Sequence, residues 1–94
     1  MRKYEMLVIL DAASESDQAG EIAKIDELLK NLGGTVSKID DWGKKTLAYP
    51  IRKKTEGYYV LFNFELEPVQ TFELRRVLGL RQNVYRQLVL VLDD

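Results

Sequence analysis

Cysteine and histidine are both absent from the 94 residues. Without cysteine there is no disulfide framework and no thiolate zinc site, a composition compatible with a reducing cytosol. Without histidine the Ser-His and Cys-His pairs of nucleophilic catalysis are excluded, which leaves carboxylates, lysines and tyrosines as the remaining acid-base groups. Long hydrophobic runs are missing as well. The longest, Met6 to Leu10 and Leu88 to Leu92, fall far short of the ~20 residues of a membrane span. No small-residue cleavage site follows the first of them, so neither a secretory signal nor a membrane anchor is expected, and the reading is cytoplasmic. Bulk positive charge is lacking too: the formal net charge is -1, which argues against a free-standing protein that grips nucleic acid by net charge alone.

What is present is unevenly spread. From Asp11 to Asp41 there are eight acids against three lysines (Lys24, Lys30, Lys38). From Gly43 to Lys54 the stretch GKKTLAYPIRKK carries Lys44, Lys45, Arg52, Lys53 and Lys54 and no acid, and from Arg75 to Leu92 four arginines stand without an acid. The expectation is a two-faced molecule, acidic on one helix and basic elsewhere.

Hydrophobic periodicity divides the chain into six elements. Tyr4 to Leu10 is apolar at nearly every position and reads as a strand buried on both sides. Ser14, with Asp17 three residues on, forms an N-cap of the capping-box kind. Ile22, Ile25, Leu28, Leu29 and Leu32 recur at helical spacing, and Gly33-Gly34 ends that helix. Thr35 to Ile39 is a second strand, interrupted near Asp40 to Gly43 and resumed from Thr46 to Ile51. Tyr58 to Glu67 alternates, with Tyr58, Val60, Phe62, Phe64 and Leu66 on one face. Pro68 opens a second helix in which Leu74 and Leu78 share a face and Gly79 closes the last turn. Val84 to Leu92 is the final strand. The order βαββαβ specifies an α+β, ferredoxin-like domain spanning residues 1-94: a four-stranded antiparallel sheet with both helices on one face. In that plan the second strand is an edge, where Pro50 is tolerated and lysines guard against uncontrolled pairing.

No constellation points to catalysis. Asp40-Asp41 and Asp93-Asp94 are sequence neighbours that would face opposite ways in a strand, and they read as solvated turn and terminus. No cofactor, no metal site and no enzymatic activity are expected. The aromatic run EGYYVLFNF invites comparison with sheets that stack RNA bases. Where such a motif has Lys or Arg, Gly, an aromatic and a small residue, this chain has Glu56, Gly57, Tyr58 and bulky Tyr59. One aromatic face therefore reads as core, and Tyr59 on the other stays a candidate contact.

These residues resemble a family. GKKTLAYPIR, Gly43 to Arg52, is similar to the signature of the sixth protein of the bacterial small ribosomal subunit. Arg2-Lys3-Tyr4-Glu5, Glu56-Gly57-Tyr58-Tyr59 and Leu80-Arg81-Gln82-Asn83-Val84 match the same family at the right separations, so the similarity covers essentially the whole chain. The resemblance implies a structural protein that pairs with the small, basic eighteenth small-subunit protein and binds the central domain of small-subunit ribosomal RNA with it. By position it implies a partner-facing edge of Trp42, Lys44, Lys45, Leu47, Tyr49, Ile51 and Arg52, and ribosomal RNA contacts at Arg2, Lys3, Tyr59, Arg81 and Arg86. Two departures are visible: Thr46 stands where many members carry a further basic residue, and the chain stops at Asp94 where many have a longer tail. The isolated protein is expected to be a monomer. The rival expectation is a self-associating ferredoxin-like regulatory or ligand-binding domain.

Overall fold

In the computed structural model, residues 1–13, 16–51 and 53–92 are described. The chain forms β1 (Arg2–Asp11), α1 (Gln18–Asn31), β2 (Thr35–Ile51), β3 (Lys54–Leu66), α2 (Gln70–Leu80) and β4 (Val84–Leu92). The strands make one sheet in the order β2-β3-β1-β4, and every neighbouring pair is antiparallel. This is the expected ferredoxin-like plan, with β1 and β3 central.

Strand alternation decides which side chains make the core. Tyr4, Met6, Val8 and Leu10 of β1 and Val60, Phe62, Phe64 and Leu66 of β3 form one buried cluster with Ile25 and Leu29 of α1 and Leu74 and Leu78 of α2. Both helices thus cover the same sheet face. Each fully buried side chain of this size contributes about 1.5–3 kcal/mol against exposure. Tyr4 and Phe64 stack with ring centroids 5.6 Å apart, joining the two central strands.

Helix boundaries differ from the expected ones for local reasons. Ser14 lies outside the described residues; the cap of α1 is Asp17, whose carboxylate accepts from the Gly20 backbone N–H at 2.9 Å. A carboxylate there satisfies an orphan donor and complements the positive end of the helix. Gly33 closes α1 as expected, at φ 86, with the Gly34 N–H returning to the Leu29 carbonyl at 2.9 Å. At α2 the expectation fails at both ends. Pro68 precedes the helix, in a turn whose carbonyl accepts from the Thr71 N–H. Gly79 lies within the last turn, and the chain leaves α2 directly in an extended conformation at Arg81 (φ -84, ψ 123). No left-handed residue is needed there, because β4 begins almost at once.

The expected break in β2 is a bulge within one continuous strand. Asp41 pairs with Val60 and Gly43 with Tyr59, leaving Trp42 as the extra residue. Gly43 takes φ 78, which glycine adopts without steric cost. Asp41 holds the bulge with both oxygens, one accepting from the Gly43 N–H at 2.9 Å and the other from the Tyr58 hydroxyl at 2.7 Å. Further on, Thr46 pairs with Glu56 and Ile51 with Lys54, so Leu47 to Pro50 stand opposite Thr55 alone. That surplus lifts the segment out of the ladder as an arch, and Pro50, which has no N–H to give, sits inside it.

Candidate nucleic-acid and partner interface

The sheet face away from the helices is built from odd-numbered residues of β1 and β3. Register sets them in rows: Tyr59, Ile9 and Arg86; Leu61, Leu7 and Leu88; Asn63, Glu5 and Leu90; Glu65, Lys3 and Leu92. Strands lie about 4.8 Å apart, so Tyr59 and Arg86 stand on the order of 10 Å from one another across Ile9. Lys3 is six residues from Ile9, roughly 20 Å along β1. The ribosomal RNA residues expected from sequence therefore fall into two groups, Arg2 and Lys3 at one end of the sheet and Tyr59 and Arg86 at the other.

Arg81 joins neither group. Its guanidinium forms two hydrogen bonds to Glu21, Nε to Oε2 and an Nη to Oε1, both at 2.9 Å. Glu21 is buried at 8% exposure, so the acidic helix expected from composition turns one of its carboxylates inward. Hydrogen bonds from Arg81 hold the Glu21 carboxyl below its ordinary pKa, against the opposing effect of burial, and the Asn83 amide assists. The sequence motif thus contains one arginine whose donors tie α1 to the C-terminal end of α2.

The arch does not remain at the edge. Leu47 is buried and leans over the open face, where Ile9 is buried with it. Both press on Gly57: a Cβ there would lie 2.5 Å from Ile9 Cγ2 and 3.0 Å from Leu47 Cδ2. This explains why β1, expected to be buried on both sides, is so only toward its end, while Glu5 and Leu7 stay half-buried. Tyr49 continues across the sheet. Its ring lies 5.3 Å from the Arg86 guanidinium carbon, and the Arg86 guanidinium donates to its hydroxyl. A cation over an aromatic face gains about 0.5–1 kcal/mol at exposed sites.

The other expected partner residues ring this arch. Trp42 is exposed on the bulge, its indole N–H donating to Asp40 at 3.1 Å. Lys44 and Lys45 are exposed where β2 pairs with Tyr58 and Gly57. Ile51 is half-buried at the hairpin end, and Arg52 lies outside the described residues. Sequence reasoning missed the leucines of β4. Leu88, Leu90 and Leu92 are exposed on the open face, and because Leu and Val alternate in the run, its pattern alone could not say which face was covered. Among the described residues no cluster of acids could hold a metal ion, and no helix is long and apolar enough to cross a membrane.

Comparison with known proteins gives a consistent result. Residues 3–90 match the family described as ribosomal protein S6. The chain is 42% identical to the small ribosomal subunit protein bS6 of Caldanaerobacter subterraneus subsp. tengcongensis, over all of both chains. It is 43% identical to that of Dictyoglomus turgidum over 99% of this chain and 97% of the relative. Against that of Corynebacterium diphtheriae the identity is 45% over 96% of each. Among solved structures, the 30S ribosomal protein S6 of Thermotoga maritima superposes with a TM-score of 0.86 at 20% identity, covering 97% of this chain and 87% of that one. At that identity the likeness speaks for the fold.

Proposed function

Because the chain belongs to the ribosomal protein S6 family, a family of structural ribosomal proteins and not of enzymes, we propose that it binds the central domain of small-subunit ribosomal RNA as a heterodimer with the small basic eighteenth protein. Its place is then the small subunit of the cytoplasmic ribosome. The observation that carries this reading is the sheet face left open by the helices, where Tyr59 and Arg86 share a row beside exposed leucines and under the signature arch. A strip of exposed leucines with a rim of Lys3, Arg86, Glu5 and Glu65 suits a joint surface, since fully buried interface cores are apolar and their rims polar. Arg2, Lys3 and Arg86 supply phosphate contacts that fix register without reading sequence, and Tyr59 offers a flat ring two strands away from Arg86 in the same row. Trp42, Lys44, Lys45, Tyr49 and Ile51 form the partner-facing hairpin, Leu47 anchoring it from beneath. The net charge of -1 lets a basic partner approach, and the pair then carries the positive charge that this chain lacks.

The test is a salt-titrated binding assay on a central-domain RNA fragment, with this protein alone and then with the eighteenth protein. Tight, salt-sensitive binding in the mixture and weak binding by either protein alone is the expected outcome. Indifference to RNA in both cases would defeat the reading and return attention to a self-associating regulatory domain, whose mark would be a stable homodimer in size-exclusion chromatography.

A further inference from the structure

The two edges of the sheet are built differently. β2 carries the devices that keep an edge from pairing: a register shift between Val36 and Lys38, the bulge at Trp42, the arch with Pro50, and exposed Lys38, Lys44 and Lys45. β4 carries none of them beyond Arg86. Its pairing to β1 runs without a bulge from Arg86 to Leu92, no described strand lies on its other side, and Leu88-Val89-Leu90-Val91-Leu92 contains neither charge nor proline. Leu88, Leu90, Val91 and Leu92 are all exposed. A straight, apolar, unguarded edge is a template for another strand, because its free N–H and C=O groups match those of a peptide backbone.

We infer that the free edge of β4 is a self-association site, where a second copy of the chain adds its own β4 antiparallel across a two-fold axis at Leu90. The sequence selects that occupant. LVLVL reads the same in both directions, so antiparallel pairing about Leu90 sets Leu88 against Leu92, Val89 against Val91 and Leu90 against itself. Directly opposed side chains share a face with Cβ atoms about 4.5–5.5 Å apart. Every exposed leucine of one copy therefore gains a leucine of the other on the open face, and the valines meet on the helix side. Charge agrees with this register. No like charges oppose one another between Gln87 and Leu92, and the sequence continues as Asp93-Asp94, so the acidic end of each copy is brought toward Arg86 of the other. A nucleic acid has no amide ladder to offer the edge, and Arg86 is the one cation of β4. Pairing joins two four-stranded sheets into one. A contact through one strand belongs with small interfaces, below about 1,200 Å², so the dimer is weak and a dilute solution holds the monomer expected from the sequence. The pairing leaves the hairpin of β2 and β3 uncovered and does not depend on whether the chain binds RNA.

The chain has no cysteine, so a single introduced thiol reports the register. Leu90→Cys sets its two copies opposite one another, within the reach of about 7 Å between Cα atoms that a disulfide allows. In Leu88→Cys the two thiols stand four residues out of step, roughly 14 Å apart along the strands. With oxidised glutathione at high protein concentration, Leu90→Cys is expected to form a covalent dimer at least about tenfold faster than Leu88→Cys. Sedimentation equilibrium of the wild type is expected to show a concentration-dependent dimer, and Leu90→Lys, which sets like charges opposite each other, to weaken it at least about tenfold. Leu90 is 49% exposed, so its replacement leaves the core intact, and the melting temperature of each variant checks this. A wild type that stays monomeric at every concentration would overturn the inference. So would equal cross-linking of the two cysteine variants, or a dimer that survives Leu90→Lys unchanged, since the copies would then meet in another register or through another surface.

Discussion

Replacing Arg81 by methionine isolates the contact between its guanidinium and the Glu21 carboxylate. The substitution keeps most of the aliphatic stem and removes both donors to Glu21, whose side chain is only 10% exposed against 28% for Arg81. Breaking one side of a fully buried pair costs about 3–5 kcal/mol because the surviving charge is left uncompensated. Here the arginine is partly solvated and Asn83 stands at 3.5 Å from the carboxylate, so about 2–3 kcal/mol is the expected loss. In a domain of this size that lowers Tm by about 10–20 °C. The assay is urea unfolding at pH 7 and again in acid. Glu21 has its folded pKa depressed below 4.5, so the stability it contributes is present above its unfolded pKa and fades as pH falls through the folded value. The gap between wild type and Arg81→Met should therefore narrow below about pH 4.5. A Glu21→Gln, Arg81→Met double mutant should show coupling of more than about 1 kcal/mol. A loss under 1 kcal/mol at pH 7, or a gap that does not change with pH, would refute the reasoning. RNA affinity gives a further check: per folded molecule, Arg81→Met should weaken it less than Arg86→Ala does.

Other parts of the molecule make independent predictions. Lys53 holds φ 64, a left-handed conformation that costs an L-residue about 1 kcal/mol; Lys53→Gly should raise Tm by a few degrees in a thermal melt, the gain being reduced by the greater freedom of an unfolded glycine. Gly57→Ala should destabilise by about 1–3 kcal/mol in urea, since its methyl would collide with Ile9 and Leu47; an unchanged midpoint would show that the arch is not seated as described. The Tyr58 hydroxyl donates to Asp41, and its pKa is raised above 10 by that bond and by burial. Ultraviolet titration should therefore bring one tyrosine back toward its ordinary range in Asp41→Asn, and the stability linked to Tyr58 should be present below about pH 10 and decline as pH rises through its folded pKa.

The elements were legible where a single period governed burial. In β3, Val60, Phe62, Phe64 and Leu66 alternate without exception and lie at 0–1% exposure, so face and register could be read directly. The arch could not, because it depends on how many residues β2 spends between Thr46 and Ile51 against β3. That count belongs to pairing, and no local pattern reports it. Glu21 and Arg81 stand 60 residues apart, and their ion pair arises only once α1 lies beside the C-terminal end of α2. The exposure of Phe72, at 76%, escaped notice because the periodic signal in α2 is carried by the buried Leu74 and Leu78. The α1 cap shows a milder version of the same limit: Asp17 and Ser14 are both good capping residues, and only the backbone decides between them.

The contact between Tyr49 and Arg86 joins strands at opposite margins of the sheet. In most four-stranded sheets the outer strands fray separately, each held by one neighbour, and their amides exchange with solvent on independent schedules. A clasp across the open face couples those openings, because lifting the hairpin exposes the start of β4 and loosening β4 frees the hairpin. Amide exchange at Arg86 and at the arch should then follow one common opening event, which makes the family signature a fastener for the sheet as much as a surface upon it.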